Sequence, residues 1–148
     1  MQSTRQVAQR CAQSGANIEQ WQTAISAGNC AFAAGDDDSA QRAYLYGLSL
    51  ARALLARRDM DEQALAALVT TYHQLAGLHR RAGRLNIAAD QLCLIHQQLA
   101  ALASSEQGNL RWLAQTQLRR SQVELKQFVA AHAEFALFIQ ERFNTHRA

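Results

Sequence analysis

The sequence contains no proline and only seven glycines among its 148 residues. Proline breaks the interior of an α-helix and glycine weakens it, so their scarcity permits long, uninterrupted helices. No segment alternates apolar and polar residues as a half-buried β-strand would. These absences argue against a β-rich fold and predict an all-α protein.

Long apolar runs and a strong charge of one sign are lacking as well. No stretch approaches the roughly 18 apolar residues of a membrane span, and the N-terminus lacks the apolar run of a signal peptide. The net charge is +3, from 15 basic and 12 acidic residues. This excess is too small and too scattered to indicate nucleic acid. We therefore expect a cytoplasmic protein without a membrane segment.

The reactive residue types form no recognisable catalytic or metal-binding pattern. Cys11, Cys30 and Cys93 make no C-x-x-C pair, and their apolar surroundings predict buried thiols in a reducing compartment. The histidines show no zinc spacing, and His79 is assigned to helix packing. We expect no enzyme activity, no metal and no cofactor.

Apolar residues recur at helical spacing along the chain. The pattern predicts helices at about 17–35, 38–57, 60–82, 86–103, 106–126 and 128–143, with an N-terminal extension at 1–16 carrying a short helix and a tail at 144–148. Asn17, Asp59 and Ser104 are predicted N-caps, because Gln or Glu follows each of them three residues later. Since the connections are short, the helices should form three antiparallel hairpins in one domain, at about 17–57, 60–103 and 106–143.

Three consecutive aspartates, Asp36, Asp37 and Asp38, lie between the first two predicted helices. A calcium loop would need further oxygen ligands at loop spacing, and none follow. Carboxylates at a helix N-terminus accept hydrogen bonds from free amides and complement the helix dipole. We interpret the run as a helix cap that follows a turn at Gly35.

One set of residue spacings occurs three times. It is found at Gly28, Gly35, Ala40, Tyr44 and Gly47, again at Ala76, Gly83, Ala88, Leu92 and Ile95, and more loosely at Arg119, Lys126, Ala131, Phe135 and Phe138. A small residue lets two helices approach, a glycine permits a left-handed turn, and a large residue fills the gap between layers.

This pattern resembles the tetratricopeptide repeat (TPR) over about residues 17–143, most closely in "TYHQLAGLHRRAGRLNIAADQLCLIHQQL". The resemblance implies a right-handed superhelix of about three helical hairpins plus the short N-terminal helix. Turns at 35, 83 and 126 lie 48 and 43 residues apart, against about 34 in the ordinary repeat, so longer helices are expected. HEAT-like repeats have nearer periods but fit these residues less well. The chain is also similar in size and layout to small uncharacterised bacterial TPR-like proteins, which implies a fold but no function.

In TPR folds the first helix of each hairpin lines a concave groove. The resemblance places the following residues near it: Gln22, Asn29, His73, Gly77, Arg80, Arg81, Thr116 and Arg120. Asn29, Arg80 and Arg120 would then offer donors to an acidic peptide or a terminal carboxylate. The groove lysine of chaperone-binding TPR domains is missing. Alternatively, the arginines are solvated residues that compensate helix dipoles.

Trp21 and Trp112 occupy similar early positions in their helices and are expected to pack between layers. A Trp112 that lies off the stripe of Leu110, Ala114 and Leu118 would instead be an exposed anchor for a partner.

The leading functional hypothesis is a non-enzymatic adaptor that binds a protein or peptide, with acidic character, through the groove or a terminal hairpin. Dimerisation through an uncapped terminal hairpin fits the small number of repeats. One alternative is a secretion-type TPR chaperone, which predicts a peptide-sized groove. Another is a nucleic-acid-associated helical regulator, which predicts strongly salt-dependent binding.

Overall fold

A computed structural model describes residues 17–105 and 107–144 of the chain. These residues form α1 (Ile18–Ala33), α2 (Asp37–Arg57), α3 (Asp61–Arg81), α4 (Leu85–Ser105), α5 (Asn109–Ala131), a 3-10 turn (Ala133–Phe135) and α6 (Ala136–Asn144). The described part of the chain contains no strand, so the prediction of an all-α protein is confirmed. None of its helices is long and apolar enough to cross a membrane. The predicted helix within 1–16 lies outside the described residues.

The chain divides into two compact units between Leu68 and Val69, inside α3. The first unit contains the α1–α2 hairpin. The second contains the C-terminal part of α3 together with α4, α5 and α6. The organisation into a single domain stays a prediction.

The ends of α1 and the start of α2 follow the local signals in the sequence. The Asn17 Oδ1 atom accepts a hydrogen bond from the Gln20 amide at 2.8 Å, which confirms the predicted N-cap. Gly35 adopts a φ of 77°, a left-handed conformation that glycine reaches without strain. Asp36 Oδ1 then accepts from the Ser39 amide at 3.1 Å, and hydrogen bonds from Ser39 hold the pKa of the Asp36 carboxyl below its ordinary value. The aspartate run therefore begins a helix, as predicted.

Helices α1 and α2 pack closely where Gly28 faces the ring of Tyr44. A Cβ atom added to Gly28 would lie 2.5 Å from Tyr44 Cδ1, so only glycine fits this contact. Tyr44 is fully buried, and its hydroxyl donates to Asn29 Oδ1 at 2.6 Å. Nearer the start of α1, Trp21 and Ala24 pack with Leu50 of the later part of α2. The two helices therefore run antiparallel.

The turn between α3 and α4 is built in the same way as the first turn. Gly83 adopts a φ of 80°, as its predicted turn position requires. The Arg84 amide donates to the His79 carbonyl at 2.8 Å and the Gly83 amide donates to the Arg80 carbonyl at 3.1 Å, which satisfies carbonyls left free at the helix end. Farther from the turn, Gln98 Nε2 donates to the Tyr72 hydroxyl at 3.3 Å.

A continuous core joins the helices of the second unit. Its buried members are Ala76, Ala88, Ala89, Leu92, Cys93, Leu125, Phe128 and Ile139. Leu85, Val129 and three phenylalanines, Phe135, Phe138 and Phe143, pack against this cluster. Arg142 fixes α6 on α4, because it forms an ion pair with Asp90 while its carbonyl accepts from Gln97 Nε2 at 3.2 Å.

The predicted boundary at Lys126 is wrong, because α5 continues through it to Ala131. Lysine and alanine are both good helix formers, so nothing local ends the helix there. The backbone leaves the helical conformation at His132, with φ −137° and ψ 68°, and the rings of Phe128 and Phe135 pack across the turn with centroids 5.7 Å apart. The third set of repeat positions, from Arg119 to Phe138, is therefore out of register. Turns at Gly35, Gly83 and His132 follow one another at 48 and 49 residues, a more even period than the sequence suggested.

Two predicted N-caps are also wrong. Helix α4 extends through Ser104 to Ser105, whose hydroxyl donates to the Ala101 carbonyl at 2.7 Å, and α5 begins after Gly108 without a side-chain cap. Helix α3 begins at Asp61, two residues after Asp59. The Asp59 carboxylate pairs instead with Arg57 at 2.8 Å.

We expect Gly28→Ala to destabilise the protein by about 1–2 kcal/mol, because overpacking outweighs the gain in helix propensity. Gly77→Ala is the matched control: a Cβ there has no neighbour within 4 Å, so this helical substitution should stabilise the protein by up to about 1 kcal/mol. Urea unfolding followed by circular dichroism measures both changes. Equal effects of the two substitutions would show that the contact with Tyr44 does not constrain the hairpin.

Candidate partner-binding surface

The predicted groove residues are distributed over both units. Gln22 and Asn29 lie on α1 in the first unit, and both are exposed. The side-chain Oδ1 atom of Asn29 already accepts the hydrogen bond from the Tyr44 hydroxyl, so this side chain contributes to the hairpin itself. The remaining predicted residues lie in the second unit: His73, Gly77, Arg80 and Arg81 on α3, and Thr116 and Arg120 on α5.

Arg120 connects α5 to α3 within the second unit. Its Nη2 atom donates to Thr70 Oγ1 at 2.9 Å, across 50 residues of sequence. Its positive charge also acts on His73, which lies one turn further along α3 than Thr70. The structure therefore brings Arg120 and His73 together. Thr116 is exposed one turn earlier on α5, where its hydroxyl donates to the Trp112 carbonyl of its own helix at 3.1 Å.

His73 is held neutral by its surroundings. Burial, and secondly the charge of Arg120, lowers the pKa of His73 from 6.5 to about 4. Its Nε2 atom is enclosed and has no hydrogen-bond partner among the described residues. An enclosed ring nitrogen without a partner is unusual in a folded protein, and such groups often occur at binding sites or beside an ordered water molecule.

A small cavity lies beside His73. Its volume is about 30 Å³, which is room for about one water molecule. The lining residues are His73, Ala76, Gly77, Arg80, Leu92, Glu124 and Phe128. His73, Gly77 and Arg80 line this one cavity, whereas Arg81 does not, and the groove itself stays a prediction. A peptide cannot enter so small a space, so any partner would lie across the surface that surrounds it.

Among the arginines near the cavity, Arg80 has the guanidinium that is most accessible to a partner. It is exposed in the last turn of α3, and its guanidinium has no carboxylate partner in the part of the chain that the structure describes. Arg120, by contrast, already uses one of its donors on Thr70.

Glu124 is a member of this face that the sequence analysis missed. It lines the same cavity as His73 and Arg80. Thr116, Arg120 and Glu124 follow one another at four-residue steps on α5, which places them on one side of the helix. Continuing the four-residue spacing from Thr116 and Arg120 to position 124 would have identified Glu124 in the sequence.

His79 is a packing residue. His79 is buried, and its Nδ1 atom accepts from Arg84 Nε at 3.0 Å. Burial and the charge of Arg84 lower the pKa of His79, which confirms its assignment to packing. Among the described residues, no three His, Cys, Asp or Glu side chains are grouped so that they could hold a metal ion.

The two described cysteines differ. Cys93 is buried, and burial raises the pKa of its thiol to about 11, as expected of a packing residue. The prediction that Cys30 is buried is wrong, because this thiol is exposed two residues after the buried Gly28. Cys11 lies outside the described residues.

The two tryptophans differ as well. Trp21 packs against the core of the first unit. Trp112 is 61% exposed, so its expected packing role is wrong, and a role as an anchor for a partner stays a prediction. It precedes Thr116 and Arg120 at the same four-residue steps along α5.

A family model described as "Protein of unknown function (DUF2753)" matches residues 19–142. The chain belongs to the DUF2753 family. This match includes nearly all of α1 to α6 and therefore both units of the structure. No curated protein and no solved structure matches the chain. Membership of DUF2753 thus gives the protein a family but assigns no activity, and its function has to be argued from the surface.

We expect the stability of the protein to depend on His73 below pH 6.5. The folded chain has a pKa of about 4 at this ring, against 6.5 ordinarily, so between these values the unfolded chain binds a proton that the folded chain does not. The neutral His73 ring contributes fully to the free energy of unfolding above about pH 6.5, and this contribution is lost as the pH falls towards 4. We expect it to be about 1–3 kcal/mol.

Urea unfolding of the wild type and of His73→Gln between pH 7 and pH 4.5 measures this dependence. The difference in unfolding free energy between the two proteins should change with pH in favour of the variant as the solution is acidified. A difference that stays constant across this range would contradict the neutral, buried state of His73.

Proposed function

We propose that this DUF2753 protein is a non-enzymatic, TPR-like helical scaffold that binds an acidic peptide segment of a partner protein. The observation that carries the proposal is the exposed Arg80 guanidinium, which has no carboxylate partner among the described residues and lies next to His73, with Arg120 on the adjoining helix. We call the surface formed by His73, Arg80 and Arg120 the basic face.

Carboxylates are the chemical group that suits the basic face best. A guanidinium presents its N–H donors in a planar fork that matches the two oxygens of a carboxylate. Arg80 is free to offer this fork, and Arg120 retains further donors while its bond to Thr70 restricts its motion. Because His73 is neutral, it adds no positive charge to this surface, and its enclosed Nε2 atom is out of reach of a peptide that lies across it.

Glu124 orients the ligand on this face. Its carboxylate lines the same cavity as Arg80, so an acidic group placed next to it would be repelled. The acidic side chains of a bound segment are therefore directed towards Arg80 and Arg120 and away from Glu124.

Trp112 extends the surface along α5. Trp and Arg are the residue types that contribute most often to protein–protein affinity. An exposed Trp112 two helical steps from Arg120 supplies an apolar anchor beside the charged contacts. This combination favours a protein partner over nucleic acid.

The TPR-like architecture is supported by antiparallel helix pairing within each unit and by turns at Gly35, Gly83 and His132 with a nearly constant period. On this proposal the protein acts in the cytoplasm and recognises a segment of a folded partner. A secretion-type chaperone would use the same chemistry on an unfolded client, and its clients would share an extended segment.

The test is affinity purification with mass spectrometry, using the wild type, Arg80→Glu and Arg111→Glu as baits. Arg111 is the matched control, because it is an exposed arginine on α5 nine residues before Arg120, half a turn around the helix. We expect Arg80→Glu to lose a specific partner that Arg111→Glu retains.

An acidic segment of that partner should then bind the wild type directly in a fluorescence polarisation assay. The affinity should fall about tenfold or more in Arg80→Glu, since a hydrogen bond to a charged group contributes about 1.5–3 kcal/mol. Identical partner sets for both variants, or the recovery of nucleic acid whose binding weakens steeply with salt, would overturn the proposal.

A further inference from the structure

An open cleft of about 540 Å³ lies between α5 and α6, with α4 contributing His96. The residues that line it are His96, Gln122, Leu125, Lys126, Val129, Ala130, Ile139 and Phe143. The volume lies within the range of about 300–1,000 Å³ that is typical of small-molecule sites. The cleft follows α5 from Gln122 to Ala130, a length of about 12 Å at the helical rise per residue.

The walls of the cleft are apolar. Five of its eight lining residues are apolar: Leu125, Val129, Ala130, Ile139 and Phe143. Leu125 and Ile139 also belong to the buried core of the second unit, so this surface is held rigidly. A ligand that fills the cleft would therefore remove apolar surface from water without reorganising the helices.

Lys126 is the one lysine, arginine or carboxylate among the described residues that line the cleft. It is the only lysine of the chain, and its ammonium group has no carboxylate partner among the described residues. His96 is the other titratable group there. Burial lowers the pKa of His96, and its Nδ1 atom lies 3.0 Å from Ser121 Oγ, so it is neutral near pH 7. The cleft thus complements a molecule with an apolar body and one negative charge.

The helical walls distinguish between an alkyl chain and an extended peptide. The backbone amides of α5 and α6 are bonded within their own helices, so few donors and acceptors face the cleft. An extended peptide would leave its own N–H and C=O groups without partners, which is costly. An alkyl chain has no such groups to satisfy.

We propose that this cleft binds an unbranched aliphatic carboxylate of about eight to ten carbons, a length that follows from the 12 Å groove and about 1.3 Å per carbon of an extended chain. The chain lies against Leu125, Val129 and Ile139, and the carboxylate pairs with Lys126. Lys126 and Glu124 are two residues apart on α5, about 200° around the helix, so the cleft and the basic face lie on different sides of α5. The inference does not depend on the proposed function.

The test is titration of the full-length protein with decanoate below its micelle-forming concentration, followed by calorimetry and by amide chemical shifts. We expect saturable binding of one molecule per chain, with shifts concentrated around the cleft. In the series from hexanoate to decanoate, each added methylene should strengthen binding by up to about fourfold.

Two pairs of comparisons separate the apolar and charged contributions. Ala130→Phe fills the cleft from an exposed position and should abolish binding, whereas Gln127→Phe, an exposed change on the same helix outside the cleft, should leave it intact. Lys126→Gln should weaken decanoate binding by up to about fivefold and leave decanol binding unchanged. Arg80→Glu, which removes the basic face, should bind decanoate like the wild type.

Three results would overturn the proposal. The first is the absence of saturable decanoate binding. The second is equal affinity of the wild type for decanol and decanoate, which would remove the role of Lys126. The third is a wild-type dimer that Ala130→Phe converts to a monomer in analytical ultracentrifugation, because a second copy of the chain would then occupy the cleft.

Discussion

The close approach of α1 and α2 at Gly28 is the constraint on which the first hairpin depends. The Tyr44 ring occupies the space that a side chain at position 28 would need, and its hydroxyl is fixed by Asn29. In the second unit Ala76 and Leu92 lie in one core cluster, at positions 48 residues further along the chain. In both units, therefore, a small residue of the first helix and a large residue of the second are buried in the same core. The large residue fills the space between the helices, and the outer faces remain available for contacts with other molecules.

The different roles of the arginines explain why the net charge of the chain does not predict where its candidate binding surface lies. Arg58 bonds to Asp61, Arg84 to His79 and Arg142 to Asp90, so these three stabilise turns and helix contacts. Arg120 has both roles, because it links α5 to α3 and lies beside His73. What defines the basic face is therefore the position of a few arginines and not the small excess of positive charge over the whole chain.

The accuracy of the sequence analysis varied with the range of the interactions involved. The caps at Asn17 and Asp36 and the turns at Gly35 and Gly83 were predicted correctly, because each depends on residues within a few positions along the chain. The end of α5 was misplaced because its turn contains no glycine. That turn is held by Phe128 and Phe135 packing across it, which helix propensity does not reveal.

The candidate surface also combines features that are local in the sequence with features that depend on a neighbouring helix. The TPR resemblance grouped His73, Gly77 and Arg80 near a groove, and in the structure these three residues line one small cavity. The sequence analysis did not identify Glu124, whose role depends on α5 lying beside α3, and it assigned Trp112 and Cys30 to packing although both are exposed. The spacing of residues along a helix predicts which of them share a face, but the position of the neighbouring helix determines which face is buried.

The sequence by itself determined that the chain is helical and where its two glycine turns lie. These properties follow from backbone conformation and helical period, which are local. Only the tertiary structure decided that α5 extends to Ala131, that His73 is enclosed next to Arg120 and Glu124, and that Lys126 faces an apolar cleft instead of forming a turn. Each of these depends on contacts between residues far apart in sequence, and burial by a neighbouring helix is what changes the protonation and the availability of a side chain.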